Sequence, residues 1–298
     1  MPKLSIRWGA VLIVLTLLGA WADEAAEQGR AVLAGNKDAV ITVRIVTSMS
    51  VGGQQRESES EATGTVIDSS GLAVLSLSAV DPSIMLERFR EMGQEMTSKI
   101  ADLKMVLGDG SEVPAEIVLR DRDLDLAFLR PTEPRAAPMA HVNLDNAGAP
   151  QLLDQLAILA QLGQVARRTH SVFLERIEAI IDKPRTFYVP GSHRARDVWC
   201  SPAFTLEGKF VGIGVMRTIK TRAGGGGMGD SLIVLVPAED IREASKQVPP
   251  VGQKAPEAQP AEPAPAPEGA APTQEQAPQP EPEAPTEGEG TGTLPAEA

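Results

Sequence analysis

The stretch ATGTVIDSSGLAVLSLSAV, residues Ala62–Val80, contains two short apolar runs separated by a turn. The first run lies within Glu61–Asp68 and the second within Leu72–Leu77, with Ser69, Ser70 and Gly71 between them. Serine and glycine are typical of tight turns, and apolar runs on both sides of such a turn are typical of paired strands. The stretch therefore predicts a strand, a turn and a second strand.

Similar short runs recur through the middle of the chain. Ala39–Thr47 (AVITVRIVT) is rich in β-branched residues that roughly alternate with others. Turn signals such as Asp109-Gly110 and Glu207-Gly208 separate the runs. Many short strands at this spacing predict an all-β protein, either a sandwich or a pair of barrels. The further predicted strands are Leu103–Leu107, Val113–Leu119, Ala127–Leu129, Gln155–Ala160, Val172–Ile181, Thr186–Val189, Lys209–Val215 and Leu232–Val236.

Helical periodicity is confined to two segments. Ala25–Leu33 is a short helical pattern near the start of the chain. Ile84–Ile100 places apolar side chains about one helical turn apart, which predicts an amphipathic helix. Its methionines favour an ordinary buried stripe over a groove for a partner.

Composition limits the class of protein and the chemistry of its sites. Of the 298 residues, 42% are hydrophobic and 23% are charged, which is typical of a globular protein and excludes a collagen, a coiled coil or a multi-pass membrane protein. A net charge of -12 argues against a nucleic-acid partner. Cys200 is the only cysteine, so no intrachain disulfide and no Cys-x-x-Cys site can form. The spacing of the histidines suggests no metal site either, and we predict neither metal nor cofactor.

The two ends of the chain differ from the middle. Residues 1–22 combine a basic start at Lys3 and Arg7, an apolar run, and Ala20-Trp21-Ala22, which is the pattern of a cleaved signal peptide. This predicts export to the periplasm or the exterior, with no stable membrane span after cleavage, because the apolar run is shorter than the roughly 20 residues that cross a bilayer. An uncleaved anchor is the alternative.

Residues 249–298 contain 13 prolines and nine glutamates. Such a segment has too little apolar surface to offset its conformational entropy, which predicts a disordered tail. The folded part is therefore expected within residues 23–248.

Four ordered blocks of this middle region resemble the HtrA/Deg branch of the trypsin-like serine peptidases. They are Ala62–Val80, Leu107–Arg130 (LGDGSEVPAEIVLRDRDLDLAFLR), Ser201–Val215 (SPAFTLEGKFVGIGV) and Ser231–Arg242 (SLIVLVPAEDIR). The resemblance implies an all-β, double-barrel trypsin-like (chymotrypsin-like) fold with short helices, whose barrels span about residues 39–135 and 150–245. HtrA/Deg proteins usually carry PDZ domains after the peptidase domain, but here the chain passes from Gln247 into the proline-rich tail, and we expect none.

The catalytic triad implied by the resemblance is incomplete. Asp125 stands at the place of the aspartate that orients the base. Ser78 stands where the family has its catalytic histidine, and Trp199 stands where the family has its nucleophilic serine. A serine hydroxyl does not titrate near neutral pH and an indole is no nucleophile, so the resemblance implies a carboxylate without a base to orient.

The glycine-rich turn around the nucleophile is also replaced. Asp197, Cys200 and Ser201 occupy its glycine positions, and glycine is the residue that most easily adopts the positive φ angles of such a turn. We therefore expect a misshapen oxyanion pocket.

Two functions from different classes follow. The first is an exported serine protease homologue that is catalytically inactive and binds peptides or proteins of the cell envelope or exterior, as a binding or scaffolding module. The second is an active serine- or cysteine-type endopeptidase that uses Cys200 or Ser201 with His193, seven residues before Cys200. We expect the other histidines, His141 and His170, to be ordinary surface or hydrogen-bonded side chains.

Overall fold

The computed structural model describes residues 24–51, 54–81, 96–191, 195–218 and 231–251. The predicted signal peptide, the tail beyond Val251, His193 and most of the predicted helix at Ile84–Ile100 lie outside the described residues.

The first six strands close into an antiparallel barrel in the order β1-β2-β3-β6-β5-β4. The stretch around Ala62–Val80 forms its turn between β2 and β3, where Thr65 lies opposite Val74. Alternating side chains fill the barrel, and the buried positions include Val43, Ile45 and Leu75. The strands are β1 (Val40–Val51), β2 (Gln54–Val66), β3 (Ala73–Ser76), β4 (Met96–Val106), β5 (Glu112–Asp121) and β6 (Leu126–Pro131).

The next six strands close into a second antiparallel barrel in the order β10-β11-β12-β9-β8-β7. Its interior is again apolar, with Ile158, Val211 and Leu235 fully buried. The strands are β7 (Gln155–Gln161), β8 (His170–Ile181), β9 (Phe187–Pro190), β10 (Pro202–Thr205), β11 (Phe210–Thr218) and β12 (Ser231–Pro237).

The helices of the described residues are short and lie at the ends of strands. They are α1 (residues 24–36), α2 (Leu77–Val80), α3 (Ala195–Val198) and α4 (Ala238–Ser245), with 3₁₀ turns at Lys37–Ala39 and Gln164–Ala166. Within the described ranges, no helix combines the length and the apolar character needed to cross a membrane.

The two barrels pack through one continuous apolar cluster. Val74 and Phe128 from the first barrel belong to the same buried cluster as Phe204, Phe210 and Val215 from the second. Burial of such side chains stabilises the fold by about 1.5–3 kcal/mol each. The shared cluster therefore fixes β3 and β6 against β10 and β11, and these strands position the candidate site.

This architecture confirms the predicted all-β, double-barrel trypsin-like fold. The strands predicted from the sequence coincide with strands of the structure, and β10 was not among them. One prediction is wrong: Met96–Ile100, the end of the predicted amphipathic helix, is extended as part of β4 and pairs with β1, with Met96 opposite Val51 and Ile100 opposite Thr47. Pairing with a long neighbouring strand outweighs a helical pattern that propensity supports only weakly.

Candidate functional site

Asp125 lies at the start of β6, beside the end of β3. Its backbone is left-handed, with φ of 57°, and its carbonyl oxygen accepts a hydrogen bond of 2.8 Å from the Leu77 N–H. Its side chain is turned inward and only 7% of the residue is exposed. This turn therefore places the Asp125 carboxylate at the interface between the barrels.

Four hydrogen bonds hold the Asp125 carboxylate. Oδ2 accepts from the Ser76 hydroxyl at 2.5 Å, from the Ser78 hydroxyl at 2.9 Å and from the Met216 N–H at 3.3 Å. Oδ1 accepts from the Ser78 N–H at 2.7 Å. Ser78 therefore meets Asp125 with both its backbone and its side chain, at the position where the family resemblance places an imidazole.

The environment of this carboxyl shifts its pKa in two directions. Burial raises the pKa of Asp125 above its ordinary value, and the hydrogen bonds from Ser76, Ser78 and Met216 oppose that effect without cancelling it. The protons that face the carboxylate belong to hydroxyls and backbone amides, which do not titrate near neutral pH.

Trp199 joins this network from the second barrel. Its indole Nε1–H donates to the Ser76 hydroxyl oxygen at 2.9 Å, and its backbone bridges to Gly214 on β11. Ser76 therefore donates to Asp125 while it accepts from Trp199. The indole is half-buried, and its hydrogen bond to Ser76 brings Trp199 into one cluster with Ser78 and Asp125, three of the residues singled out from the sequence.

The loop after Trp199 keeps Cys200 and Ser201 away from solvent. Cys200 is 2% exposed, has φ of 65°, and donates its N–H to the Gly214 carbonyl at 2.8 Å. Burial raises the pKa of its thiol to about 12. Ser201 is 1% exposed, and its hydroxyl donates to the Asp197 carbonyl oxygen at 2.7 Å. The glycine positions of the expected turn are thus filled by a left-handed cysteine and by a serine that caps the short helix α3.

The described imidazoles have partners of their own. His141 Nδ1 lies 3.1 Å from the Met139 carbonyl oxygen, and His170 Nε2 lies 3.1 Å from the Val40 carbonyl oxygen. Neither bonds to Asp125. Among the described residues, no three histidine, cysteine, aspartate or glutamate side chains come together as a metal site would require.

A cavity of about 650 Å³ opens beside Trp199. We call it the interbarrel cleft, because the first barrel contributes β2 and α2 and the second contributes β7, β8 and the Trp199 loop. The residues that line it are Ser60–Thr63, Ala79, Ala160–Gly163, Ser171–Phe173, Arg196, Asp197 and Trp199–Ser201.

Polar contacts join the barrels along this cleft. Arg168 Nη2 lies 2.5 Å from Glu61 Oε1, which also accepts from the Gln164 amide at 3.2 Å. The Thr42 hydroxyl donates to Gln161 Oε1 at 2.6 Å. These contacts connect β1 and β2 of the first barrel to residues 161–168 of the second.

Sequence reasoning missed Ser76, the residue that connects Asp125 to Trp199. A usable signal was present, because Ser76 lies within the otherwise apolar run Leu72–Leu77, which was predicted as a strand. A buried hydroxyl needs a hydrogen-bond partner. Its position two residues before Ser78 points toward the same carboxylate.

No family model and no curated protein matches the sequence. A solved structure that is similar to this chain is the protease domain of MamO from Magnetospirillum magneticum in its apo form. The sequence identity is 16%, the TM-score is 0.46, and the match covers 70% of this chain and 96% of that chain. The fold assignment rests on the strand topology given above.

Proposed function

We propose that this protein is an exported serine protease homologue of the HtrA/Deg type that does not hydrolyse peptides and binds extended peptide or protein segments in the interbarrel cleft. One observation carries the proposal: the Asp125 carboxylate is bonded by Ser76 and Ser78, and the indole of Trp199, the residue that the family resemblance aligns with the nucleophile, donates to Ser76.

Peptide hydrolysis by this fold needs a nucleophile and a base that removes its proton. The hydroxyls that face Asp125 already donate their protons to the carboxylate, and neither can act as a base near neutral pH. A trypsin-like enzyme without its triad retains only about 10³–10⁴-fold acceleration over water. The proposal therefore predicts no measurable turnover of protein substrates.

The alternative endopeptidase would need Cys200 or Ser201 as its nucleophile. A buried thiol with a pKa of about 12 carries almost no thiolate at neutral pH. The Ser201 hydroxyl is buried and donates to a backbone carbonyl rather than to a base. His193, the predicted partner, lies outside the described residues. These features favour the binding role.

The cleft has the features of a peptide site. It is open to solvent, and it combines apolar groups, such as Trp199 and Phe173, with polar side chains at its rim. Tryptophan is prominent among residues that dominate binding energy at interfaces. Trp199 is therefore the expected anchor for a bound segment.

Labelling tests the loss of catalysis. The purified chain is treated with a fluorophosphonate probe and, separately, with iodoacetamide, and casein cleavage is followed in parallel. We expect no stoichiometric labelling of the native protein and no cleavage, while the denatured chain takes up iodoacetamide at Cys200. Stoichiometric fluorophosphonate labelling of any serine, or cleavage that alkylation of Cys200 abolishes, would establish the endopeptidase instead.

Retention of peptides tests the binding role. Casein peptides are passed over the immobilised protein, and those retained are identified by mass spectrometry. Trp199→Ala should weaken retention about tenfold or more, as expected for an interface anchor. The matched control is Leu152→Ala, which removes an exposed apolar side chain outside the residues that line the cleft. Equal retention by both variants would count against the cleft.

Export is tested separately by expressing the full chain in a Gram-negative host. The proposal predicts a mature N-terminus at Asp23 in the periplasmic fraction. A full-length chain that stays in the membrane fraction would support the uncleaved anchor.

A further inference from the structure

One edge of the first barrel is open. Strand β2 pairs with β1 along almost its whole length, from Gln54 opposite Val51 to Thr65 opposite Val40. On its other side it pairs with β3 only at Thr65 and Val66. Among the described residues, no strand covers the outer side of β2 between Gln54 and Gly64, and Gln54–Ser60 are all exposed.

The hydrogen-bond pattern identifies which backbone groups face outward. The Ile67 N–H donates to the Leu72 carbonyl at 2.8 Å, so Ile67 forms a hydrogen-bonded pair with a residue on the β3 side. In an antiparallel ladder such pairs alternate along the strand, and the β1–β2 register has no shift. The N–H and C=O groups of Glu57, Glu59, Glu61 and Thr63 therefore point toward the open edge.

The side chains of this edge are acidic. Residues two apart lie on the same face of a strand, so Glu57, Glu59 and Glu61 share one face. Glu61 is paired with Arg168. Glu59 lies 3.9 Å from Arg44, whose guanidinium is 2.7 Å from Glu112. Within the described ranges no cation is paired with Glu57. This face therefore carries a net negative charge.

The open edge leads into the interbarrel cleft. Ser60–Thr63, the inner part of β2, line the cavity on one side, and Trp199 lines it on another. A segment that followed β2 inward from Glu57 would therefore reach Trp199.

We propose that an extended peptide segment with basic side chains at alternate positions adds to β2 as an antiparallel strand between Glu57 and Thr63 and continues into the interbarrel cleft. The inference rests on the proposed binding role and names the conformation and charge of the ligand. Unpaired edge groups accept a new strand, and main-chain hydrogen bonds supply affinity while side chains supply selectivity. Pairing of β2 with β2 of a second copy is disfavoured, because it would bring acidic rows together.

Amide hydrogen exchange of the full chain tests the proposal. The probe is a short synthetic peptide that alternates lysine and valine, compared with one that alternates glutamate and valine. Exchange at the Glu57 and Glu59 amides should slow about tenfold or more with the lysine peptide. The Ser58 amide, which already faces β1, should change little. No change at Glu57 and Glu59 at saturating peptide would overturn the inference.

Two substitutions of Glu59 distinguish the contribution of backbone hydrogen bonds to peptide binding from the contribution of side-chain charge. Glu59→Pro removes an outward N–H and leaves the ladder to β1 intact, which edge strands tolerate. It should weaken binding of the lysine peptide about tenfold or more. Glu59→Gln keeps the N–H and removes the charge, so we expect a loss of a few-fold that disappears at high salt. If Glu59→Pro does not fold, the wild-type chain is tested with a peptide that is N-methylated at alternate amides, which should bind as weakly.

The outcomes of these experiments distinguish strand addition to β2 from peptide binding in the interbarrel cleft alone. Slow exchange at Glu57 and Glu59 that depends on protein concentration without peptide would identify a second copy as the occupant and would overturn the inference. Peptide binding that needs Trp199 but does not protect β2 would refute strand addition and leave the proposed function in place. Fluorophosphonate labelling of a serine would refute the proposed function, whatever the exchange shows at β2.

Discussion

Two regions can be compared with the catalytic site of a trypsin-like protease: the surroundings of Asp125 and the loop of residues 197–201. The first keeps a carboxylate but has other side chains around it, and the second has other side chains but keeps a left-handed backbone. At Asp125 the carboxylate is present, and the side chains that bond to it carry hydroxyls instead of an imidazole. In the loop, the side chains differ from those of the HtrA/Deg motif that the sequence resembles, yet Cys200 has a left-handed backbone with φ of 65°, as the glycines of such a turn do. The Cys200 N–H donates to the Gly214 carbonyl oxygen at 2.8 Å. The sheet therefore holds the backbone of the loop without the side chains of a protease motif.

Gly214→Ala tests whether β11 holds the loop, and it should have the largest effect. A Cβ at Gly214 would lie 1.9 Å from the Val198 carbonyl oxygen, so the loop or the strand must move. We expect the free energy of unfolding to fall by about 3 kcal/mol or more in urea denaturation, at the upper end of the range for overpacking of a core.

The matched control is Gly163→Ala. Nothing lies within 4 Å of a Cβ there, and its φ is −64°. We expect a change within about 1 kcal/mol. Similar losses in both variants would show that the close approach of β11 does not support the loop.

Ser76→Ala tests the link between the two regions. The change leaves the Trp199 indole N–H without its acceptor and removes a donor from a buried carboxylate. We expect a loss of about 1–3 kcal/mol in the free energy of unfolding. Trp199→Phe removes the indole donor and keeps an aromatic ring, and the double variant should lose less than the sum of the single losses. Additive losses would mean that Ser76 and Trp199 act independently.

Much of the fold could be predicted because alternation and turn residues are local signals. β7 and β8 were predicted almost in full from their own residues. The error at Met96–Ile100 has a nonlocal cause, because β1 lies some fifty residues earlier in the chain and its pairing decides the conformation of β4.

The candidate site was predictable only in part. The positions of Asp125, Ser78 and Trp199 followed from the family resemblance, and the structure brings them together. The role of Ser76 depends on two barrels meeting, with Trp199 more than a hundred residues away. No local pattern encodes such a contact, although a serine in an apolar strand already indicates that a partner is needed.

Asp125→Asn tests how the buried carboxyl group of Asp125 contributes to the pH dependence of the free energy of unfolding. Burial raises the pKa of Asp125 in the folded protein, so between the unfolded and folded values the native state binds more protons than the unfolded chain. The contribution of Asp125 to stability is therefore fully present below the unfolded pKa and is lost as pH rises through the folded pKa. The stability of wild type relative to Asp125→Asn should fall as urea titrations move from acid toward neutral pH. A difference that rises with pH would mean that the hydrogen bonds outweigh burial.

Substitution of Cys200 should have the smallest effect on stability, and it tests the backbone conformation of the loop at one residue. Glycine is ordinarily less stable than alanine at a fixed position by roughly 0.5–1 kcal/mol, because it loses more backbone entropy on folding. At φ of 65° a side chain adds strain of about 1–2 kcal/mol, which glycine avoids. We therefore expect Cys200→Gly to be at least as stable as Cys200→Ala, and both to unfold within a few kcal/mol of wild type. If alanine proves clearly more stable in thermal and urea denaturation, the left-handed backbone at Cys200 costs nothing, and the loop has relaxed away from the glycine-rich conformation.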